Sequence, residues 1–284
     1  MVRDKESLNM KIAFCGKTYR NKEWLLDKYW GELLSTTETA KLAGCSHYAI
    51  EQWLEKHNIP KRTNSQSVHI KNRNYSNIPK EGLEFIYGDM LGDGCIVKKS
   101  PYSAYIAYGC KHKKYIEWMS KKLKKFSIEQ AGKIIKRKSN NSVVYHYQSK
   151  SYPELLKLYN KWYIKYQGSN PKRKTFKIIP EDVELTPLVC RQWYIGDGSL
   201  PKVKNRSQYI ILATNAFRKK DLKLLRDKLK EININTYLHK DNRIGITTES
   251  TPIFLNYIES PPKEIEKYFG YKWEYVTYKK EKKL

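Results

Sequence analysis

The stretch Leu83 to Gly94, ending Phe85-Ile86-Tyr87-Gly88-Asp89-Met90-Leu91-Gly92-Asp93-Gly94, recurs as Leu188 to Gly198, ending Trp193-Tyr194-Ile195-Gly196-Asp197-Gly198. Both are apolar runs of helical character that stop in Gly-Asp-Gly. An aspartate in the last turn of a helix sits at the negative end of the macrodipole, so two such placements call for a compensating positive charge. A bound metal ion is the natural candidate. Gly94 and Gly198 are expected to be the left-handed residues that end each helix. Gly88 and Gly92, four residues apart, leave a bare stripe on which a second helix packs closely.

The segments C-terminal to each stretch also recur. After the first come runs of strand composition at Cys95 to Lys98 and Ser103 to Tyr108 and a basic helix near Lys113 to Phe126. A hairpin then pairs Lys133 to Lys138 with Val143 to Gln148, and a helix is introduced by Ser151-Tyr152-Pro153. After the second come strands at Leu200 to Val203 and Gln208 to Ala213, a helix at Arg218 to Glu231, strands at Asn235 to His239 and Ile244 to Thr248, and a helix introduced by Ser250-Thr251-Pro252. Matching points lie 104 residues apart for Asp93 and Asp197, 105 for Ile106 and Ile211, and 99 for Pro153 and Pro252. A helix-strand-strand-helix-strand-strand-helix unit has been duplicated.

The 284 residues carry 55 Lys and Arg against 29 acids, a net charge of +26 that points to a polyanionic partner, nucleic acid first. Twenty-three tyrosines and seven tryptophans interleave with the lysines. The five cysteines are odd in number and lack C-x-x-C spacing, so neither a disulfide framework nor a zinc site is indicated. No apolar run approaches the length of a membrane span, and the N-terminus lacks the apolar centre of a signal peptide. The expectation is an intracellular protein, not secreted and with no membrane partner.

Ile86 to Gly94 and Cys190 to Gly198 resemble the two signature helices of a single-chain LAGLIDADG homing endonuclease. The resemblance implies an α+β fold of two half-domains in pseudo-two-fold symmetry, with the signature helices at their interface. It implies a catalytic divalent cation held by the acid before each final glycine, here Asp93 and Asp197, with Gly92 and Gly196 beside them. Oxygen-only ligands with few residues per ion suit Mg²⁺, with Mn²⁺ as the substitute. The second motif departs from the pattern in carrying Gln192 where the first has Gly88. The resemblance also implies a lysine from each half that reaches the cleavage centre. Lys177, in Lys177-Ile178-Ile179-Pro180, and Lys272, in Tyr271-Lys272-Trp273, match in place, and Arg173 and Lys174 compete with Lys177. Asp89, one turn before Asp93, either approaches the metal or pairs with a lysine.

Strand hairpins rich in Lys, Arg and Tyr would hold phosphates and read base edges. The candidates are Lys98, Lys136, Lys138, Tyr145 and Tyr147 in the first half, and Lys202, Lys204, Arg206, Tyr237, His239 and Arg243 in the second. Which strand face is inward does not follow from alternation alone.

Ahead of the repeats, Asn21 onward is helical, with Trp24, Leu25 and Tyr29 on one face. Ser35-Thr36-Thr37-Glu38 supplies a capping box, Gly44-Cys45 a turn, and Ser46 caps a further helix. The pair resembles the helix-turn-helix of DNA-binding domains, with His47, Tyr48, Glu51 and Gln52 exposed on the second helix. A small helical bundle without DNA contact is the alternative. The expected plan is an arm at 1–20, a helix-turn-helix domain at 21–62 and a basic linker at 63–80, then repeats at 81–167 and 185–284 joined by a linker at 168–184. The function expected is that of a monomeric, Mg²⁺-dependent, sequence-specific endonuclease that hydrolyses both strands of duplex DNA at a long, weakly symmetric site. The same fold also serves as an intron-RNA-binding splicing cofactor or as a DNA-binding regulator that does not cut. Two retained aspartates favour the enzyme.

Overall fold

A computed structural model describes residues 18–71, 76–139, 142–165, 175–202 and 207–276 of the chain, which divides into a unit ending at Asn74 and one beginning at Tyr75. In the first unit the Asn21 side chain accepts from the Trp24 amide and starts α1 (Lys22–Leu26), which runs on through a π turn, Asp27–Gly31. Ser35 and Glu38 close the expected capping box on α2 (Thr36–Ala43), which Gly44 terminates at φ 65°, and Ser46 caps α3 (His47–Lys56). Leu25, Tyr29, Ala40, Ala43, Ile50, Leu54 and Ile59 form the core between them.

The segment expected to be a basic linker carries α4 (Asn64–Lys71). Thr63 and Gln66 cap one another at its start, a reciprocal box that the sequence displays as Thr-x-x-Gln. Arg62, the last residue of the expected helical domain, is fastened to it. Its guanidinium lies 3.8 Å from the centre of the Tyr29 ring and donates to the carbonyls of Leu33 and Leu34.

The second unit opens with α5 (Lys80–Leu91), β1 (Cys95–Ser100), β2 (Ser103–Cys110), α6 (Lys113–Lys125), β3 (Ile135–Ser139), β4 (Ser142–Gln148) and α7 (Pro153–Trp162). A short ribbon of β5 (Tyr163–Lys165) and β6 (Thr175–Lys177) comes next, so part of the expected inter-repeat linker is strand. The second repeat is α8 (Pro187–Asp197), β7 (Gly198–Ser199), β8 (Ile211–Leu212), α9 (Lys219–Glu231), β9 (Thr236–Leu238), β10 (Ile244–Ile246) and α10 (Ser250–Tyr257), succeeded by α11 (Glu266–Phe269) and a 3-10 turn, Gly270–Trp273. The two four-stranded antiparallel sheets have the same order, β1-β2-β4-β3 and β7-β8-β10-β9. The fold is α+β and the duplication is visible in its topology.

One apolar core serves both repeats. Trp162, Trp193, Tyr147, Tyr194 and Phe254 are its largest fully buried side chains. Register assigns the faces of the first sheet. Ile96 opposes Ile106 and Tyr108 opposes Tyr147, so this parity carries the core. The other parity, with Tyr105, His146 and Arg137, forms the open face. Among the described residues no helix is long and apolar enough to cross a membrane.

Gly94 and Gly198 are not left-handed. Among the described glycines only Gly44 and Gly132 have positive φ, and Gly198 sits at φ −82°, ψ 149°. Space is what requires glycine at both places. A Cβ on Gly94 would lie 2.6 Å from the Asp89 carbonyl oxygen, and one on Gly198 would lie 1.9 Å from the Tyr194 ring.

Candidate active site

Helices α5 and α8 meet along their small residues. A Cβ on Gly88 would fall 2.5 Å from the Val189 carbonyl oxygen and 2.7 Å from Cβ of Gln192, and one on Gly196 would lie 3.3 Å from the Asp93 amide nitrogen. Gln192 therefore does not hold the helices apart, because the glycine opposite makes room for it. Contact at Gly92 and Gly196 brings the two chain turns together and makes Asp93 and Asp197 neighbours across the interface. Burial, and then the charge of Asp93, push the Asp197 carboxyl well above the usual carboxylate range. Two carboxylates this close repel one another unless a cation lies between them. The donor set fits Mg²⁺ or Mn²⁺, with the remaining ligands drawn from water and phosphate. Among the described residues no third His, Cys, Asp or Glu converges on the pair.

The lysines matched in sequence both reach this centre. Lys177 Nζ donates to the carbonyl oxygens of Met90, Gly92 and Gly94 at 3.0, 3.1 and 2.9 Å. Lys272, almost fully buried, donates to those of Tyr194 and Ile195 at 3.2 and 2.7 Å. Each ammonium sits on the carboxyl end of its own signature helix, so lysine supplies part of the positive charge for which a metal ion was the natural candidate. The Gly92 carbonyl is turned to Lys177, which competes with its expected place beside a cation. Burial lowers both lysines, Lys272 to about 8, against the opposing pull of Asp197 and Asp93. Arg173 and Lys174 lie outside the described residues.

Among the described residues Asp89 forms no ion pair with a lysine. It is buried between the helices, where Tyr108 Oη donates to Oδ2 and Gln192 Nε2 donates to Oδ1 at 2.6 Å. Burial pushes it up to about 7, against the effect of those two hydrogen bonds. Sequence reading misses this network, although the loss of glycine at Gln192, one turn from the same motif's Gly196, is its visible signal.

The first-half contact candidates fall on the parity that also carries the core. Lys98 opposes Ala104, Lys136 opposes Tyr145, Lys138 opposes Val143 and Tyr147 opposes buried Tyr108, all on the core-bearing side. Tyr147 is 1% exposed and is a core residue, which removes it as a contact, and Tyr145 packs against the core. Lys98, Lys136 and Lys138 are exposed but do not belong to the open face. That face carries Tyr105, Arg137, His146 and Gln148, none of which stands out in the sequence.

In the second sheet Tyr237 opposes Gly245 on the side away from Ile244 and Leu212, and His239 has the same parity two residues on. Their rings cluster with Tyr209, at 4.9 Å between Tyr237 and His239 and 6.2 Å between Tyr237 and Tyr209. Arg243 pairs with Asp241, and exposed Lys202 with Glu274. Lys204 and Arg206 lie outside the described residues. In the first unit His47, Tyr48 and Gln52 are exposed along α3 as expected, while Glu51 is half-buried.

Residues 83–254 match the LAGLIDADG DNA endonuclease family. The uncharacterized protein MJ1098 of Methanocaldococcus jannaschii is 29% identical over 211 residues, which span 72% of this chain and 76% of that one. Cytochrome b mRNA maturase bI2 of Debaryomyces hansenii is 25% identical over 199 residues, 64% of this chain and 70% of its own length. Among solved structures, the homing endonuclease I-WcaI bound to its DNA recognition sequence matches with a TM-score of 0.56 at 20% identity, over 78% of this chain and 99% of that one, a likeness of fold. The family match takes in both signature helices, both sheets and more than half of the chain, and with the duplicated topology it makes this protein a member of the LAGLIDADG DNA endonuclease family.

Proposed function

We propose that this chain is a sequence-specific endonuclease that hydrolyses both strands of duplex DNA. Asp93 and Asp197 would hold a divalent cation, Mg²⁺ or Mn²⁺, at the junction of the two half-domains. The observation that carries the reading is the neighbouring pair of carboxylates at the ends of the two packed signature helices, beside a first sheet that leaves one face open. A cation bound there supplies Lewis acidity, making water a nucleophile near neutral pH and stabilising the leaving oxygen. The chain's own part is to place and neutralise. The net charge of +26 draws in the duplex, and open-face side chains such as Arg137, His146, Tyr237 and His239 hold backbone and base edges. The first unit, through His47, Tyr48 and Gln52 on α3, extends the recognised site. The protein acts as a monomer, since one chain contains both halves of the centre.

The maturase relative supports a second reading, in which the same chain binds intron RNA. A pure RNA binder has no use for adjacent carboxylates facing phosphates, so the nuclease is preferred. Cleavage of a library of candidate duplexes in Mg²⁺ and in EDTA tests it. Asp93→Asn and Asp197→Asn are expected to abolish cutting while specific DNA binding survives, because cation binding is lost and a repulsion is relieved. Full cutting by either variant would overturn the assignment.

A further inference from the structure

Strand parity divides the second sheet. Tyr237 and Gly245 face one way, whereas Thr236, Ile244 and Ile246 face the other, toward the core and α9. On that second side, where β9 forms the edge of the sheet, α9 and the start of β9 border a cleft of about 550 Å³. Lys223, Arg226 and Lys230 line one wall with Asp227 among them, and Asn235 and Thr236 line the other. The cations recur at i, i+3 and i+7, a stripe about 10 Å long on one side of the helix, which is the rise of about three phosphates on a nucleic-acid strand. Arg226 is fixed in place: its Nε donates to Thr236 Oγ1 at 3.3 Å and its Nη2 to the Thr236 carbonyl at 3.2 Å. The first repeat differs. With its buried Ile116, Met119 and Leu123 matched to Leu222, Leu225 and Leu229, α6 puts Glu117, Ser120 and Lys124 where α9 has Lys223, Arg226 and Lys230. Ser120 donates to Gln130 at 2.7 Å, and Gln130, which bridges to Ser149 as Thr236 pairs with Ile246, stands in the place of Thr236. The stripe of three cations is therefore a property of the second repeat, not of the fold that both share.

We infer that this cleft binds single-stranded RNA, apart from the sheet faces to which duplex DNA is assigned. A stripe of cations takes successive phosphates. The Asp227 carboxylate among them repels phosphate and needs a hydrogen-bond donor instead. Ribose carries that donor in its 2′-hydroxyl, which DNA lacks, and Asn235 and Thr236 on the facing wall add an amide and a hydroxyl for a sugar or a base edge. A cleft of this size admits an unpaired nucleotide rather than the body of a duplex. The site goes beyond the nuclease reading and does not depend on it, since it lies behind the second sheet and uses no residue of the cleavage centre.

Fluorescence anisotropy of the full chain in EDTA tests this, with a labelled single-stranded RNA of mixed sequence, the DNA strand of the same sequence, and their unlabelled duplex DNA as competitor. Wild type should bind the RNA at least about 10-fold more tightly than the DNA strand, the worth of one hydrogen bond to a charged group. Excess duplex should not displace it. Lys223→Gln combined with Lys230→Gln should weaken RNA binding about 10-fold and lower the slope of log affinity against log salt by about 1.4, the share of two phosphate contacts on a single strand. Lys121→Gln with Lys124→Gln removes the same charge from α6 of the first repeat and should leave RNA affinity within about 2-fold of wild type. Asp227→Ala should bring RNA and DNA strands to within about 3-fold of one another, because RNA loses an acceptor and DNA a repulsion. All five side chains are exposed on helix surfaces, so the variants should fold as wild type does. Equal affinity for the two strands, equal losses from the α6 and α9 pairs, an Asp227→Ala preference unchanged from wild type, or displacement of RNA by duplex would each overturn the inference. A wild type that cuts no duplex in Mg²⁺ would refute the nuclease reading and leave these measurements standing.

Discussion

Gly88→Ala tests the helix interface on which the paired aspartates depend. The added Cβ would lie 2.5 Å from the Val189 carbonyl oxygen and 2.7 Å from Cβ of Gln192, both parts of the facing helix that no side-chain rotation can move. Restoring an ordinary contact of roughly 3.4 Å requires the helices to separate by about 1 Å. Overpacking of this kind costs about 1–3 kcal/mol or more, and alanine's helix preference over glycine returns at most about 1 kcal/mol. A net loss of about 2 kcal/mol lowers the melting temperature of a unit this size by about 4–8 °C. The separation also stretches the bond from Gln192 to Asp89 and draws Asp93 away from Asp197, so cleavage should fall further than stability alone accounts for. Gly196→Ala is the internal comparison. Its Cβ would sit 3.3 Å from the Asp93 amide, needing only a few tenths of an ångström, and its stability should stay within about 1 kcal/mol of wild type. Thermal melts of both variants with cleavage at matched temperature decide it. A Gly88→Ala protein that melts and cuts like wild type would show that the helices do not meet as closely as described.

Asp89 has a folded pKa near 7, above its ordinary value of 3.8, so the stability it contributes is lost as pH rises through that window. Asp89→Asn should therefore gain on wild type between pH 5 and pH 8, by on the order of 2–4 kcal/mol in urea unfolding, and a difference independent of pH would contradict this. On β3, Arg137→Ala should weaken duplex binding by about 1–3 kcal/mol in anisotropy at fixed salt, and Lys136→Ala by less. The opposite ranking would move the duplex off the open face. Tyr147→Ala should act on folding, costing about 3–5 kcal/mol in urea unfolding, and a variant as stable as wild type would return Tyr147 to the surface. Deleting residues 1–74, the boundary of the first unit, should shorten the footprint from one end and spare cutting, and an unchanged footprint would mean α3 reads no DNA.

The duplicated motif is legible because its signals are local: apolar periodicity, a Gly-Asp-Gly stop and a recurring order of segments need no knowledge of what packs against what. The capping box at Ser35 is local in the same way, and so is the one at Thr63, which the basic composition around it conceals. Asp93, Asp197, Lys177 and Lys272 are reached through resemblance of motif and place. Tertiary structure alone decided the rest. Strand parity is invisible until one residue is seen to pack, so a one-residue choice puts Tyr147 among the contacts when Tyr108 and the core claim it. Gly94 and Gly198 are glycine for want of room, which only the fold defines. Gln192 reads as a defect in a helix stripe, yet across the interface it fits against Gly88 and satisfies Asp89. Which carbonyls Lys177 and Lys272 meet depends on where the backbone points once each helix has ended, and that is set by the meeting of the two halves.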